Sequence, residues 1–159
     1  TDDSWKVVAK EGSIIRFGQT TESKEISTSG TFAWYLTKAT DTNGNYVSYS
    51  YTKDQGKAYL SFIEYTGNEM GISPTNTVEF ILEPRDDIFS SYISTSKITT
   101  AKRLKEIVTK VNNSAVWRYV LGYTYSQDTS RSLLASVTQY ASDNKNLPMQ
   151  RFTYQKSHD

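Results

Sequence analysis

From Trp117 to Tyr125 every second residue is bulky. Trp117, Tyr119, Leu121, Tyr123 and Tyr125 alternate with Arg118, Val120, Gly122 and Thr124. A period of two places the five large side chains on one face of an extended strand, whereas a helix would scatter them around its axis. Such a face must cover a core, so the segment predicts a sheet with one buried side.

A second segment repeats the pattern around a turn. Phe32–Thr40 leads into Asp41-Thr42-Asn43-Gly44-Asn45, and Tyr46–Tyr51 leads out. Asn-Gly accommodates the positive φ angles of a two-residue type I′ turn, so Asn43 and Gly44 are read as a structural turn. That loop would pair Thr40 with Val47, Lys38 with Tyr49 and Leu36 with Tyr51. Trp34, Leu36, Val47, Tyr49 and Tyr51 would then share a face. The expected core is Trp34, Leu36, Tyr49 and Tyr51 from this hairpin with Trp117, Tyr119, Leu121 and Tyr123 from the other strand.

The remaining chain follows the same grammar. Strands are predicted at Trp5–Ala9, Ser13–Phe17, Ala58–Tyr65, Thr77–Glu83, Ile88–Ile93 and Arg151–Tyr154, with residues 19–31 a polar loop. Turns are expected at Glu11-Gly12, Asp54–Lys57 and Asp143–Asn146, and Pro84 is expected to stop a strand. Two stretches, 101–111 and 131–141, are ambiguous. Leu104, Ile107, Val108 and Val111 fit a helical template, as do Leu133, Leu134, Val137 and Ala141. Their wealth of Val, Ile, Thr and Ser favours strands. The expected fold is all-β, a largely antiparallel sheet of consecutive hairpins with little helix, sandwich-like or an open shell. Residues 1–159 are expected to be one domain.

Composition narrows function by exclusion. With 18 Lys+Arg against 17 Asp+Glu, the chain lacks the bulk charge of a nucleic-acid binder or a polybasic membrane module. No apolar run reaches the length of a membrane span. The absence of cysteine removes disulfides, thiolate metal ligands and a cysteine nucleophile. The one histidine, His158, argues against a histidine-dependent triad or a His-rich metal site. No catalytic, cofactor-binding or metal residue is expected. The Asp41–Asn45 run is too short for an EF-hand-type calcium loop, whose twelfth position would be Thr52 rather than Glu. Glu83, Arg85, Asp86 and Asp87 form a charge cluster, read as an Arg–carboxylate pair fixing a loop in preference to a glycosidase carboxylate pair. Exposed tyrosines could stack on sugars, which keeps a glycan as a possible partner.

The order of the pieces resembles a known family. EGSIIRFG (Glu11–Gly18) resembles the DG-x-x-Y-x-FG element of the SpvB/TcaC-type family. That family includes the Salmonella virulence plasmid B protein and the B component of bacterial insecticidal toxin complexes. WYLTKATDTNGNYVSYSYT (Trp34–Thr52) resembles its W-x-L-x-x-x-x-D-x-x-G-N-x-x-x-Y-x-Y element. YLSFIEYTGN, VEFILEPRDD, KRLKEI, WRYVLGYTYSQDTSRSLLASV and LPMQRFTY follow in the family's order. Glu11 stands where Asp is usual, and Asn144–Asn146 lack the usual Gly; both changes suit turns.

The resemblance implies a segment of a larger secreted, Rhs-associated toxin protein. In that setting the segment is a non-enzymatic part of a β-sheet shell or scaffold that carries a toxic effector. Its partners would be neighbouring β-domains or toxin-complex subunits. The alternative is a free-standing adhesive or carbohydrate-binding β-domain. One family member also carries ADP-ribosyltransferase chemistry in a separate domain, which uses an Arg, a Ser-Thr-Ser strand and a Glu-x-Glu. Ser94-Thr95-Ser96 is present here, but Glu-x-Glu is not, and Glu106 is the only Glu after residue 96.

Overall fold

The computed structural model describes residues 3–93 and 95–155. His158 and Ser94 lie outside the described residues. No helix occurs among the described residues. Twelve strands follow in order: β1 (Trp5–Val8), β2 (Ile14–Phe17), β3 (Lys24–Ser27), β4 (Gly30–Trp34), β5 (Leu36–Thr40), β6 (Asn45–Asp54), β7 (Lys57–Asn68), β8 (Asn76–Ile93), β9 (Ser96–Val111), β10 (Ser114–Tyr125), β11 (Ser132–Ala141) and β12 (Gln150–Arg151). Ten form one antiparallel sheet ordered β1-β2-β5-β6-β7-β8-β9-β10-β11-β12, and β3 and β4 form a separate pair.

The two ambiguous stretches are strands, and bulges explain their helix-like spacing. In the β8–β9 ladder Ile81 faces Glu106 while Leu82 faces Leu104, so Lys105 is an extra residue on β9. In the β10–β11 ladder Gly122 faces Ser136 while Tyr123 faces Leu134, so Ala135 is extra on β11. One inserted residue turns a same-face spacing of two into three. Leu104 with Ile107, and Leu134 with Val137, therefore mimic a helical period while remaining on strands.

The first aromatic hairpin departs from its predicted register. Thr40 faces Tyr46, Ala39 faces Val47 and Lys38 faces Ser48. The loop has three residues, and Asn43 is not among those with positive φ; only Gly44 is, at 81°. The cause is Asp41. Its carboxylate accepts bonds from the Asn43 and Asn45 backbone N–H groups, at 2.8 and 2.9 Å, and from Asn45 Nδ2 at 2.8 Å. Gly44 N–H donates to the Asp41 carbonyl at 3.1 Å. This is a type I turn closed by a left-handed glycine, not the two-residue turn. The one-residue slip moves the side chains of one strand to the opposite face. Tyr51 consequently stacks against Tyr35, ring centroids 5.4 Å apart, and its hydroxyl reaches the Leu36 carbonyl. A type I′ turn does occur at Gln55-Gly56, where both φ angles are positive and Asp54 faces Lys57.

Three further expectations need correction. Residues 19–31 are not simply a loop, because β3 and the start of β4 lie there. Their buried positions are polar (Glu25 and Ser27), so hydrophobic patterning could not mark them. The predicted Phe32–Thr40 strand breaks at Tyr35, which hands Trp34 to the small sheet and Leu36 to the large one. Pro84 does not end β8. Beyond Glu79 the β7–β8 ladder has finished, and β8 pairs with β9 alone. There a missing N–H on the far edge breaks no ladder bond.

The long β8–β9 hairpin is the organising feature. Pro84 faces Lys102 and Phe89 faces Thr100, so residues 85–88 bulge out opposite one residue. Past the bulge the arm folds back toward β7. Thr99 N–H donates to the Gln55 carbonyl, and the Tyr59 hydroxyl accepts from the N–H groups of Ala101 and Lys102. At the tip, the Thr28 N–H donates to Ser96 Oγ. The best-buried apolar side chains are Ala58, Ile98, Ala101 and Val108, and three of these four lie on β9. The Trp34, Leu36, Tyr49 and Tyr51 side chains are half-buried, as are Tyr119, Leu121 and Tyr123, whereas Trp117 is exposed. Strands β7, β8 and β9 lie between β6 and β10 in the sheet order, so the two aromatic segments are not neighbouring strands.

Candidate functional site

The densest polar cluster lies at the β8 bulge. Arg85 grips Asp87 with two bonds, Nε to Oδ1 at 2.9 Å and Nη2 to Oδ2 at 2.6 Å. Ser132, at the start of β11, donates its N–H and its hydroxyl to the same carboxylate, at 2.8 and 2.6 Å. Arg131 donates to the Asp87 carbonyl. Arg103 bridges Glu83 at 2.7 Å and Ser132 at 2.8 Å. Its guanidinium covers the Tyr123 ring at 4.3 Å. The Tyr125 hydroxyl donates to Asp86 at 2.7 Å. The bulge is thereby clamped to the loop between β10 and β11.

The chemistry of this cluster is that of a brace. The Asp87 side chain is 5% exposed, and the Arg85 bonds, assisted by Ser132, hold its carboxyl well below the usual carboxylate range. A general acid in glycoside hydrolysis needs the opposite shift, so Asp87 is unsuited to that role. The expected Arg–carboxylate pair is present. The partners Ser132 and Arg131 of Asp87, and Tyr125 of Asp86, all more than 35 residues away in sequence, carried no local signal.

A second buried carboxylate holds the small sheet. Glu25 Oε1 accepts from Lys57 Nζ at 2.8 Å, the Tyr35 hydroxyl at 2.7 Å and the Ala58 N–H at 3.2 Å. Burial pushes its pKa up, but the bonds from Lys57, Tyr35 and Ala58 outweigh burial and leave it lowered. Burial pushes Lys57 down, but its own bonds to Glu25 and to the Tyr35 hydroxyl outweigh burial and leave it raised.

The remaining candidates resolve into local structure. Thr95, at the tip of the β8–β9 hairpin, has its hydroxyl 3.0 Å from that of Thr28, and Ser96 accepts from the Thr28 N–H. Asp41 is occupied by its own turn. Among the described residues no three His, Cys, Asp or Glu side chains are grouped to hold a metal ion.

What the sheet leaves open is apolar. On β1, at one end of the sheet, Trp5 is 59% exposed and Val8 61%. At the other end Leu147, Met149, Phe152 and Tyr154 are exposed, and on the arm so are Ile88, Phe89, Tyr92 and Ile93. A concavity of about 610 Å³ also opens over the sheet, with Ile15, Ala39, Tyr46, Val47 and Tyr65 in its lining. Soluble monomers seldom leave so much apolar surface uncovered.

Residues 1–70 match the SpvB family. The family is described as Salmonella virulence plasmid 65kDa B protein. Three of the seven sequence elements quoted above fall inside that span, so the SpvB resemblance holds there at the level of sequence. No curated protein matches the chain. Among solved structures, the N-terminal domain of effector protein SpvB from Salmonella typhimurium strain LT2 aligns with a TM-score of 0.76 and 15% identity, over 88% of this chain and 61% of that one. The Photorhabdus luminescens Tc holotoxin pore aligns with a TM-score of 0.81 and 16% identity, over 96% of this chain and 10% of the other. A crystal structure of TcdB2-TccC3 aligns at 0.77 and 16%, with the same coverages. These likenesses establish a shared fold that extends beyond the SpvB match. The chain spans less than two thirds of the SpvB domain and about a tenth of the toxin-complex chains.

Proposed function

We propose that this chain is a non-enzymatic structural segment of a larger secreted toxin protein of the SpvB and toxin-complex kind. It would form part of a β-sheet shell or scaffold that carries an effector, with residues 1–159 acting as one β-domain among neighbours. The observation that carries this reading is the ten-stranded sheet itself. It is largely one layer thick, its best-buried side chains are mostly small or polar, and apolar side chains stand open at both ends. A sheet of this kind completes its burial against other elements. The fold it shares with the SpvB N-terminal domain and the Tc holotoxin supports the same reading. Those chains are longer, so the neighbours are available in principle. The braced state of Asp87 and Glu25 fits a structural role for both carboxylates.

The chain has no cysteine, which makes the test clean. Single cysteines at Val8, Tyr92 and Met149 are labelled with a maleimide in the 159-residue chain and in the full-length protein that contains it. The expected result is rapid labelling of the chain and strong protection at two or more positions in the full-length protein. Equal labelling in both would overturn the shell reading. The purified chain is also expected to leave NAD and nucleotides unchanged; turnover abolished by Glu106→Gln or Glu83→Gln would replace the proposal with an enzymatic one.

A further inference from the structure

Eight asparagines occur in the chain, and only Asn43 precedes a glycine. The pairing matters chemically, because the backbone nitrogen of the next residue can attack an asparagine amide carbon and close a succinimide ring. A Cβ on that next residue hinders the attack. Gly44 has none, and a Cβ built there would meet nothing nearer than Asn68 at 3.5 Å, so the approach is open. Asn43 is exposed, and among the described residues no hydrogen bond holds its side-chain amide.

The turn itself works against the reaction. The Gly44 N–H donates to the Asp41 carbonyl at 3.1 Å, so the nitrogen must leave that bond before it reaches the Asn43 amide. It must also give up its proton, and the Asp41 carboxylate accepts from the N–H groups on either side, those of Asn43 and Asn45, at 2.8 and 2.9 Å. Negative charge growing on the Gly44 nitrogen is repelled by that carboxylate. Asp41 therefore retards the attack through its carbonyl and through its charge.

From this geometry we infer that Asn43 is a modification site, the chain's point of spontaneous deamidation, and that the Asp41 turn sets its rate. In the first step a bond forms between the Gly44 nitrogen and Asn43 Cγ, and the Cγ–Nδ2 bond breaks. The Gly44 amide proton leaves with Nδ2 as ammonia. Water then opens the ring at either carbonyl and leaves aspartate or isoaspartate at position 43. The structure also gives the consequence. The Asn43 carbonyl accepts from Asn68 Nδ2 at 3.1 Å, and the Gly44 carbonyl accepts from the Glu69 N–H at 2.9 Å, which latches the β5–β6 loop to the end of β7. Isoaspartate inserts a methylene into the main chain between these two carbonyls and places a second carboxylate next to Asp41. Both changes work against the latch. This site does not depend on the shell reading.

The experiment incubates the folded 159-residue chain at physiological pH and temperature beside a synthetic peptide of residues 38–48. Peptide mapping by mass spectrometry, with fragmentation that tells isoaspartate from aspartate, follows each asparagine over time. Asn43 is expected to convert before any other asparagine, and more slowly than in the peptide. Asp41→Ala is expected to speed conversion in the folded chain about fivefold, the factor that one net hydrogen bond is worth. Gly44→Ala is expected to slow it. In the converted fraction the Glu69 amide should exchange its hydrogen faster than in the unconverted chain. The comparison of folded chain with peptide keeps the test valid if Asp41→Ala does not fold. The proposal is overturned if another asparagine converts first, if Asn43 does not convert, if it converts in the folded chain as fast as in the peptide, or if folded Asp41→Ala converts at the parent rate.

Discussion

The covered arm and the bare margins of this sheet are built on opposite rules. Under the β3–β4 pair and the folded tip of β8–β9, burial is shared between small apolar residues and polar ones: Ala58, Ile98 and Ala101 beside Glu25, Ser27 and Thr99. On β1 and on β8 of the same arm, large apolar residues face solvent: Trp5, Val8, Tyr92 and Ile93. A lone globule places its apolar bulk inside and its polar groups outside. The inversion teaches that this chain stabilises its own shape mainly through satisfied polar clamps and backbone ladders. On the proposed shell reading, the exposed apolar residues are the surface that neighbouring elements would cover.

The sharpest way to break that contrast is to truncate one sealed and one half-buried apolar side chain, on β9 and β10. Ile98, on the arm itself and packed against the β6–β7 turn at Gly56, is 4% exposed. Ile98→Ala is expected to cost about 3 kcal/mol in chemical denaturation, within the range for deleting a buried branched side chain. Leu121, although on the strictly alternating strand, is only half-buried. Leu121→Ala should cost about 1–2 kcal/mol, less than a sealed leucine would. A loss at Leu121 equal to that at Ile98 would mean that the β10 face closes over a core of its own.

Removing the clamp tests the polar half of the contrast. Glu25→Ala leaves the Tyr35 hydroxyl and the Ala58 N–H without their acceptor, and Lys57 without its counter-charge. The expected loss is about 2 kcal/mol, reduced from the fully buried case because the Lys57 side chain is 31% exposed. The pH dependence follows from Glu25 and Asp87, both of whose pKa values are lowered on folding. A carboxylate of lowered pKa adds stability that is fully present above its unfolded value and is lost as pH falls through the folded one. Stability should therefore hold from neutral pH down to about 5 and decline below about 4 as acid reaches the clamps. Asp87→Asn should flatten that decline. An acid limb unchanged in both Asp87→Asn and Glu25→Gln would show that other groups govern it.

These same residues mark how far the sequence could be read. The all-β architecture was legible because alternation and turn residues are local signals. The 101–111 and 131–141 strands were legible only by composition, since single-residue bulges at Lys105 and Ala135 disguise their period. The register of the first hairpin was lost on Asp41, whose side chain outcompetes the Asn-Gly preference by bonding two N–H groups. The small sheet was illegible because its buried face is polar. The Arg85–Asp87 pair could be anticipated from neighbours in sequence, whereas Ser132 joins it across 45 residues and the Glu25 clamp spans 33 to Ala58. No local pattern carries that information.

Two glycines in hairpin loops carry the comparison to the backbone. Gly44 and Gly56 have nearly the same φ, 81° and 84°. A Cβ on Gly44 would meet Asn68 at an ordinary 3.5 Å, whereas one on Gly56 would come within 2.8 Å of Ile98 Cδ1. Gly44→Ala should cost about 1 kcal/mol from the left-handed backbone alone, and Gly44→Val somewhat more. Gly56→Ala should cost measurably more than Gly44→Ala, because the Ile98 side chain must also shift. Equal melting temperatures for the two alanine variants would remove the evidence that the arm presses on the β6–β7 turn.

The smallest expected effect is at the margin, and it separates a surface awaiting a partner from one that merely happens to be apolar. Tyr92, on β8 near the tip of the arm, is 78% exposed. Tyr92→Ser should change the stability of the 159-residue chain by less than about 0.5 kcal/mol, as surface substitutions usually do. In the full-length protein the same change should cost more, because there the ring is expected to be covered and its burial lost. Burying a large side chain contributes roughly 1.5–3 kcal/mol. The measurement is a pair of denaturation curves for each context, with and without the substitution. A loss that stays below about 0.5 kcal/mol in both contexts would place Tyr92 in solvent throughout and remove the tip of β8 from the surface proposed to be covered.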